Sequence, residues 1–427
     1  MFLGPPGMGL FDFLLRLFFP RPARSVDVVV PKRPKRPRRR PRLVPLRAAA
    51  GKTRAQDAPL EAKQPPYKFA RIGIGTGRYL DLSQDGDDAR LSRFSLPCFH
   101  TPEELANWLE MPLGRLAWLV HRFSDNSRPN TEAEAHYYFR WLAKRRGGYR
   151  LIESPKRTIK GVQQKILHDI LDHVPLHPTA HGFAAGRSIV TNATPHVNQA
   201  LLLKFDLADF YANVTFGRVT AIFRSLGYSR EAAIWLARLT TSALPANIPF
   251  IKQEPSAVLP YLRSHLPQGA PTSPALANLS AFSLDVRLSG MAGAFGATYT
   301  RYADDLTFSG PEAFGRSLRD FIPLVSQIIR QERFRVNRSK RQVLRANRAL
   351  VVAGVVVNQK LNVRRREFDR LKAVLINCVR EGPSTQNHIR HPRFAAHLRG
   401  RIAHVAHLNP ARGAKLLALY DRIDWKR

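Results

Sequence analysis

Residues 299–308 read Tyr299-Thr300-Arg301-Tyr302-Ala303-Asp304-Asp305-Leu306-Thr307-Phe308, which places two adjacent carboxylates inside an apolar run with strand character. This pattern predicts a β-hairpin with both acids at or beside its turn, where carboxylate oxygens can reach a divalent cation without being buried unpaired. Adjacent Asp residues are also common in solvated turns, so the pair alone leaves a metal site and an ordinary turn both open.

A third carboxylate follows an apolar strand further upstream. The run is Leu201-Leu202-Leu203-Lys204-Phe205-Asp206-Leu207-Ala208-Asp209-Phe210-Tyr211. It predicts a strand that delivers Asp206 near its end. Because Mg²⁺ is normally held by one or two carboxylates plus substrate phosphates, three acids on two strands suit two Mg²⁺ ions. Such a pair activates an attacking hydroxyl and stabilises a leaving pyrophosphate, so the pattern indicates nucleotidyl transfer.

A loop rich in glycine and proline lies between these acids, and it reads Leu266-Pro267-Gln268-Gly269-Ala270-Pro271-Thr272-Ser273-Pro274. It predicts a tight loop whose backbone can approach a ligand, followed by a helix capped at Ser273 that continues from Ala275. An ordinary loop that enters a core helix is the alternative.

These three segments, in this order, resemble the reverse transcriptases. Asp206 matches the first acid of motif A, Gln268 and Gly269 match motif B, and residues 302–305 match the YxDD box of motif C. The resemblance implies an α+β right-hand polymerase with fingers, a palm of antiparallel sheet plus helices, and a helical thumb. It also implies that Asp206, Asp304 and Asp305 are the catalytic and metal-binding residues.

Nucleotide contacts follow from the same resemblance. Arg150 matches the fingers arginine of the pattern RxIxxP, and its planar guanidinium suits a triphosphate. Tyr211 stands where these enzymes place an aromatic steric gate against a 2′-hydroxyl, although a core aromatic beside Phe210 is the alternative. Lys340 matches motif D, where it would neutralise or protonate pyrophosphate or form a basic wall of the product channel. Gln268 and Gly269 complete the predicted nucleotide site.

Two marks indicate the bacterial retron branch. Residues 192–196 reproduce an NAxxH box, with Asn192 and His196 as its defining side chains, although a satisfied core histidine is the alternative for His196. Val352, Ala353 and Gly354 stand in place of the VTG triplet, and Ala353 lacks the hydroxyl of the family threonine. Membership implies that these residues contact RNA. It further implies an RNA template read into DNA from dNTPs with Mg²⁺, priming from a 2′-hydroxyl of a structured noncoding RNA, a branched RNA-linked DNA (msDNA), and phage defence with an effector protein.

The composition agrees with a protein that handles nucleic acid. The 427 residues carry a formal net charge of +36, which indicates a polyanionic partner bound largely through counterion release. The two cysteines, Cys98 and Cys378, lie far apart and favour a reduced, cytoplasmic compartment. An apolar segment at residues 9–19 is too short to span a bilayer, so we expect no membrane span.

The expected domains are a disordered, basic and proline-rich extension (residues 1–60), a small helical module (61–125), fingers and palm (126–358) and a basic helical thumb (359–427). The basic run at residues 31–42 is either a charged linker or an arm that grips RNA. In the thumb, the predicted RNA contacts are Arg364, Arg365, Arg366 and Arg370.

Two other classes of protein remain open at the level of sequence. A reverse transcriptase of the group II intron type would need a splicing or endonuclease domain after the thumb, and the given chain ends at Arg427. A noncatalytic RNA-binding protein on the same fold would tolerate loss of the acids, and all three acids are present.

Overall fold

The computed structural model describes residues 60–73, 75–121, 129–144, 148–248, 255–388 and 390–425. The apolar segment 9–19 and the basic run 31–42 lie outside the described residues. All described residues belong to one compact unit. Among them, no helix is both long and apolar enough to cross a membrane.

The N-terminal part begins with three very short antiparallel strands in the order β1-β3-β2: β1 (Leu60–Ala62), β2 (Arg71–Ile72) and β3 (Tyr79–Asp81). Three helices follow: α1 (Asp88–Arg93), α2 (Pro102–Trp108) and α3 (Leu113–His121). Thr101 and Glu104 form the capping box of α2, with Pro102 in the first turn, because each side chain accepts a backbone N–H of the other residue. The spacing of Thr101, Pro102 and Glu104 in the sequence is typical of such a helix start, whereas the three strands are too short to show alternation.

A β-hairpin forms the outer part of the predicted fingers. Strands β4 (Tyr137–Ala143) and β5 (Tyr149–Pro155) pair antiparallel, and α4 (Arg157–Asp169) follows. Alternation turns Phe139 and Trp141 toward a small apolar cluster with Leu151, while Tyr138 on the other face is exposed. The hairpin therefore has one packed face and one open face.

The central sheet has the strand order β10-β6-β8-β7, and β9 pairs with the end of β6. Its strands are β6 (Leu201–Ala208), β7 (Thr298–Tyr302), β8 (Asp305–Gly310), β9 (Arg335–Val336) and β10 (Gln342–Arg345). All paired strands run antiparallel. The continuous apolar run in β6 reflects burial on both faces, since six of its eight residues are buried.

Helices lie between these strands along the chain, and most of them pack around the sheet, whereas the helix at residues 255–262 packs with Leu151 of the hairpin. They are α5 (Ile189–Ala193), α6 (Phe216–Leu226), α7 (Arg230–Thr240), α8 (Pro255–Leu262), α9 (Ser273–Ser280), α10 (Phe282–Ala294), α11 (Glu312–Arg316) and α12 (Leu318–Gln331). The predicted helix after the glycine-proline loop is confirmed as α9, although its N-cap is Thr272 instead of Ser273. The Ser273 hydroxyl instead donates to the Pro267 carbonyl at 2.7 Å, which closes the loop on itself.

One apolar core joins the N-terminal helices to the sheet. Leu91 and Leu105 belong to the same buried cluster as Phe205 and Phe308. The predicted helical module at residues 61–125 thus shares its core with the palm.

The C-terminal part has its own core. Strands β11 (Val351–Val352) and β12 (Val355–Val356) form a hairpin, followed by helices α13 (Arg365–Glu381), α14 (Phe394–Leu408) and α15 (Pro410–Tyr420). Leu371, Ile402 and Leu416 pack together there, with Leu202 of β6 joining from the sheet. The predicted helical character of the thumb is confirmed. Helix α14 starts after Pro392, since proline disfavours helical backbone in the residue before it.

Candidate active site

The pairing of β6 with β8 places Asp206 directly opposite Asp305. Asp304 occupies the turn between β7 and β8, and its carbonyl accepts a hydrogen bond from the Leu207 N–H at 2.9 Å. Ala303 forms the other turn residue in left-handed backbone, with φ of 54°. The structure thus brings the three predicted carboxylates together at one end of the sheet, where they line a shared pocket.

The electrostatics of this cluster are unfavourable without a cation. Burial, followed by the charges of Asp305 and Asp206, raises the pKa of Asp304 to about 6. Burial also raises the pKa of Asp305, despite the nearby charge of Lys204. Lys340 compensates partly, because its Nζ lies 2.8 Å from Asp206 Oδ2. Three crowded carboxylates are a hard-oxygen donor set, so the residues present fit a divalent cation.

A cavity of about 1130 Å³ opens in front of the carboxylates. Four of the five predicted nucleotide contacts line it, namely Arg150, Tyr211, Gln268 and Lys340. Asp206 and Asp304 lie on its wall, and so do Phe183, Asn337 and Arg338. The cavity is therefore large enough for a nucleotide beside the acids, and its lining includes four cationic residues and two tyrosines, Tyr211 and Tyr261.

Gly269 contributes through its backbone. It has φ of 142°, and a Cβ there would lie 2.8 Å from the Glu153 carbonyl oxygen. The Glu153 N–H donates to the Gln268 carbonyl at 3.0 Å. Strand β5 and the loop before α9 thus lie backbone to backbone, which is possible only for glycine at position 269.

A buried ion pair that the sequence did not reveal strengthens this contact. His265 Nε2 lies 2.9 Å from Glu153 Oε2, and both side chains are inaccessible to solvent. Burial lowers the pKa of His265, but the Glu153 carboxylate and the Arg263 carbonyl more than offset it, so the pKa lies above its ordinary value. The pair fixes the loop that carries Gln268 to the strand that carries Arg150.

Tyr211 lies in the turn after β6, next to Phe210. Burial, followed by the charge of Asp304, raises the pKa of its hydroxyl to about 12, so the phenol stays protonated at neutral pH. The residue lies on the cavity wall together with Asp206 and Asp304.

Arg301 is a second residue whose role sequence reasoning missed. Its Nε and Nη2 donate to the two oxygens of Asp285 at 2.8 and 2.6 Å, and both residues are fully buried. Its Nη1 donates to Asn278 Oδ1 at 2.8 Å and to the Ala303 carbonyl at 3.0 Å. The guanidinium therefore holds the backbone of the turn that carries Asp304. A signal existed in the sequence, since strand alternation puts Arg301 on the same side as Tyr299.

The NAxxH residues lie inside the palm. His196 is fully buried, with Nδ1 2.6 Å from Ser309 Oγ and Nε2 2.7 Å from Thr300 Oγ1. Burial, followed by the charge of His181, lowers the pKa of His196 to about 4. Asn192 is also buried, and its carbonyl accepts from Thr300 Oγ1 at 3.4 Å. This placement favours support of the sheet over the predicted contact of these two side chains with RNA.

The remaining predicted RNA contacts lie in the C-terminal part. Val352 is buried in the thumb core, while Ala353 and Gly354 form the turn between β11 and β12 with φ of 46° and 87°. The four arginines Arg364, Arg365, Arg366 and Arg370 are exposed at the start of α13. The turn and the arginines are therefore accessible to a ligand, whereas Val352 packs in the C-terminal core and holds the adjacent turn against it.

An antiparallel sheet with three carboxylates at its end, a cation-lined cavity before them, a fingers hairpin and a basic helical thumb define a right-hand nucleic-acid polymerase. Residues 142–371 match the family model described as "Reverse transcriptase (RNA-dependent DNA polymerase)".

Curated relatives narrow the family further. The chain is 39% identical over 338 residues to the Retron Mx65 reverse transcriptase of Myxococcus xanthus, which covers 77% of this chain and 73% of that protein. It is 34% identical over 343 residues to the Retron Mx162 reverse transcriptase of the same organism (75% and 67% covered). The Retron Ec86 reverse transcriptase of Escherichia coli is 31% identical over 280 residues (65% and 77% covered).

The chain therefore belongs to the retron-type reverse transcriptases, and it is an RNA-directed DNA polymerase with a right-hand α+β fold. Reverse transcriptases depend on divalent metal and copy an RNA template, so an RNA partner and a divalent ion belong to its function.

Proposed function

We propose that this polymerase works by two-metal nucleotidyl transfer, with Asp206, Asp304 and Asp305 as ligands of two Mg²⁺ ions. The observation that carries the proposal is the convergence of the three acids, through the pairing of Asp206 with Asp305 and the hydrogen bond from Leu207 to Asp304. Bound ions of this kind supply Lewis-acid activation of the attacking hydroxyl and charge neutralisation on the leaving pyrophosphate.

The protein's own side chains orient the nucleotide. Arg150 presents a planar fork to the triphosphate, and Lys340 exchanges its ion pair with Asp206 for a phosphate oxygen. Tyr211 places its ring against the sugar and excludes a 2′-hydroxyl, which selects dNTPs over rNTPs. Gln268 lines the cavity, and Gly269 lies behind it against the backbone of Glu153. Each assignment rests on a residue at or directly behind the cavity wall.

We further propose the retron product for this chain. The substrate would be a structured noncoding RNA that serves as template and primer, and the product a short single-stranded DNA joined to RNA through a 2′–5′ branch. The named retron relatives and the net charge of +36 support this assignment. Ala353, Gly354 and the four exposed arginines of α13 would contact RNA, with residues 126–358 as fingers and palm and 359–427 as thumb. A role in anti-phage defence with an effector protein follows from the family resemblance.

The test is extension by the purified protein with its copurifying RNA, dNTPs and Mg²⁺, followed by RNase treatment and sizing of the DNA. We expect a discrete short DNA whose mobility shifts on RNase digestion, because the RNA joined to it is removed. Extension only from an added primer would contradict the branched product and indicate a group II intron type of enzyme. An absence of synthesis under all conditions would indicate a noncatalytic RNA-binding protein on this fold.

A further inference from the structure

Glu153 contacts both ends of the short segment that leads to Gln268. Its backbone N–H donates to the Gln268 carbonyl at 3.0 Å, and its Oε2 lies 2.9 Å from Nε2 of His265. His265 lies three residues before Gln268, and Arg150 lies three residues before Glu153 on β5. One residue therefore joins the strand that presents Arg150 to the cavity with the segment that presents Gln268.

The His265 end of this link is fixed by its backbone. The N–H of His265 donates to the Ser242 carbonyl, and the Ser242 N–H donates to the His265 carbonyl, each at 2.9 Å. The next residue, Leu266, donates its N–H to the Val214 carbonyl at 3.0 Å. Leu266 and Val214 both belong to the apolar core that underlies the central sheet. The ion pair therefore sets the position of β5 relative to a segment that is already anchored in that core.

Both nitrogens of the His265 ring face hydrogen-bond acceptors. Nδ1 lies 2.7 Å from the Arg263 carbonyl oxygen, and Nε2 lies 2.9 Å from the Glu153 carboxylate. A neutral imidazole carries a single N–H, so this arrangement holds one additional proton, on the ring or on the carboxylate. Without that proton, the Nε2 lone pair would face a buried carboxylate whose Oε1 has no hydrogen-bond partner among the described residues. The link therefore requires the additional proton.

Among the described residues, two phenols face the pair from neighbouring elements. The Tyr261 ring of α8 lies edge-on to the imidazole, with centroids 5.4 Å apart, and the charge of Glu153 acts on Tyr137 of β4. Burial raises the pKa of both hydroxyls, so both phenols stay neutral. Besides Glu153, the charged groups that act on the Tyr261 hydroxyl are Asp209 and Arg150.

The imidazole itself is the group that titrates. Burial lowers the pKa of His265, but the Glu153 carboxylate more than offsets it. The link is therefore intact below the ordinary pKa of histidine, and it is lost as the pH rises through the raised pKa of the folded protein.

We propose that Glu153 and His265 are positioning residues for the incoming nucleotide. They hold the two proposed nucleotide contacts, Arg150 and Gln268, at a fixed separation, and they do so only while the pair keeps its additional proton. The inference rests on the proposed function, in which Arg150 and Gln268 bind the nucleotide. Glu153 and His265 act through these contacts, because their own side chains are inaccessible to solvent. A shift of about 1 Å in a binding group costs up to about 100-fold in rate, so a rigid link between the two contacts matters for catalysis.

The test is single-nucleotide incorporation by the full-length protein on a DNA primer annealed to RNA, which gives kcat and separate KM values for dNTP and for primer–template. Glu153→Leu and His265→Leu break the link. We expect each to raise the KM for dNTP about 10- to 100-fold, with little change in the KM for primer–template. Glu153→Gln is the matched control, because a carboxamide both donates and accepts and can therefore bond to either state of the ring. Its KM for dNTP should stay close to that of the wild-type protein at neutral pH.

The pH profile provides a second readout. Between about pH 6.5 and pH 9, the ratio of the wild-type KM for dNTP to that of Glu153→Gln should rise, since only the wild-type link depends on the additional proton. Other effects of pH on the reaction are common to both proteins and cancel in this ratio. A constant ratio across the range would overturn the proton requirement.

Two further outcomes would overturn the positioning role. A fall in kcat at unchanged KM for dNTP, with a lowered melting temperature, would indicate that the Leu variants only reduce the fraction of folded enzyme. A rise in the KM for dNTP that is as large in Glu153→Gln as in Glu153→Leu would exclude the hydrogen bond as its cause.

Two variants of the contacts themselves separate failure of this inference from failure of the proposed function. An unchanged KM for dNTP in both Arg150→Ala and Gln268→Ala would contradict the proposed nucleotide contacts. A raised KM in these two variants, together with an unchanged KM in Glu153→Leu, would contradict only the positioning role.

Discussion

Asp304 lies in a turn whose backbone is already held before any substrate binds. Its carbonyl accepts from Leu207, and the carbonyl of Ala303 accepts from the buried guanidinium of Arg301. In the part of the chain that the structure describes, its carboxylate has no ion pair as short as the one between Asp206 and Lys340. The backbone of this turn is thus held by hydrogen bonds while burial disfavours the charge of the Asp304 carboxylate, which agrees with the proposed role of Asp304 as a metal ligand.

We expect Asp304→Asn to abolish DNA synthesis while RNA affinity stays within a few fold, because the substitution removes one proposed metal ligand and leaves the basic surface unchanged. Primer extension and a filter-binding titration measure the two quantities. Asp320→Asn, which alters an exposed acid on α12, is the matched control and should keep both. Loss of RNA binding in Asp304→Asn would count against this division of labour.

Tyr211→Ala should relax the selection of the sugar. Removing the ring opens space for a 2′-hydroxyl, so the ratio of kcat/KM for rNTPs to that for dNTPs should rise about 10- to 200-fold. Single-nucleotide incorporation with each nucleotide measures the ratio. Tyr211→Phe keeps the ring and should keep the selectivity. Equal ratios in the Ala variant and the wild type would support the alternative that Tyr211 is only a core aromatic.

Residue chemistry in the sequence was enough to predict that Asp206, Asp304 and Asp305 lie together, because all three follow or interrupt apolar strands. It was not enough for Arg301 or Glu153. Glu153 pairs with His265, 112 residues further along the chain, and Arg301 pairs with Asp285 on another element, and neither periodicity nor spacing encodes such pairs. The burial of His196 was open in the sequence, and the structure places it in the core.

At the level of elements, β7 and α10 are joined by the ion pair of Arg301 with Asp285. Breaking a buried pair leaves one charge uncompensated and costs about 3–5 kcal/mol, whereas replacing both partners by apolar residues is often nearly neutral. The hydrogen bond from Arg301 to the Ala303 carbonyl is lost in either case. Replacing both partners should therefore restore stability without restoring activity.

We expect Arg301→Met to lower the free energy of unfolding by about 3–5 kcal/mol, and the double variant Arg301→Met with Asp285→Leu to recover most of it. Urea unfolding measures both. DNA synthesis should stay low in the double variant, because the turn has lost its guanidinium. Arg319→Met, on the exposed part of α12, controls for loss of a positive charge. Full activity in a stable double variant would exclude a positioning role for Arg301.

Local sequence patterns predicted an element wherever the whole pattern of a cap or of a buried strand was present. The capping box at Thr101 and the apolar run of β6 correspond directly to the observed helix and strand. Strands β1, β2 and β3 were not predicted, because two or three residues are too few to show the alternation of apolar and polar side chains that is typical of a strand. The shift of the α9 cap to Thr272 reflects the hydroxyl of Ser273, which bonds to the Pro267 carbonyl within the loop.

On the scale of the whole molecule, folding brings three carboxylates together, and their mutual repulsion should be reduced when a cation binds. Asp304 has a pKa of about 6 in the fold and 3.8 as a free side chain. The folded state therefore binds the proton more tightly, so stability without metal is lost as the pH rises from about 4 to about 6. Above that range the full repulsion is present.

We expect a divalent cation to raise the melting temperature, and to raise it more at pH 7.5 than at pH 5, because protons compete for the carboxylates at the lower pH. Differential scanning fluorimetry with and without Mg²⁺ measures the shift. In Asp304→Asn the shift should shrink at both pH values. An equal shift at the two pH values in the wild-type protein would contradict a carboxylate site.

The overall architecture of fingers, palm and thumb was predictable, because the order of the motifs along the chain matches that of the reverse transcriptases. The core that the N-terminal helices share with the central sheet was not predictable, because apolar periodicity shows which face of a helix is buried but not which element covers it. Leu91 and Leu105 pack into the cluster that supports β6 and β8. The N-terminal helices are therefore part of the support of the reaction centre.

The contacts made by Gly182 and Gly269 have a consequence for how this sequence can diverge. At each position the nearest obstacle to a Cβ is backbone of another segment, the Ala303 N in one case and the Glu153 carbonyl in the other. Backbone cannot step aside as a side chain can. In a saturation library scored by DNA synthesis, every substitution at these two sites should be depleted, whatever its polarity, while the exposed Gly290 of α10 tolerates many. Gly182 therefore marks a backbone contact with the turn that carries Asp304, and Gly269 marks a backbone contact with strand β5. At both contacts a substitution in one segment would require the backbone of the other segment to move.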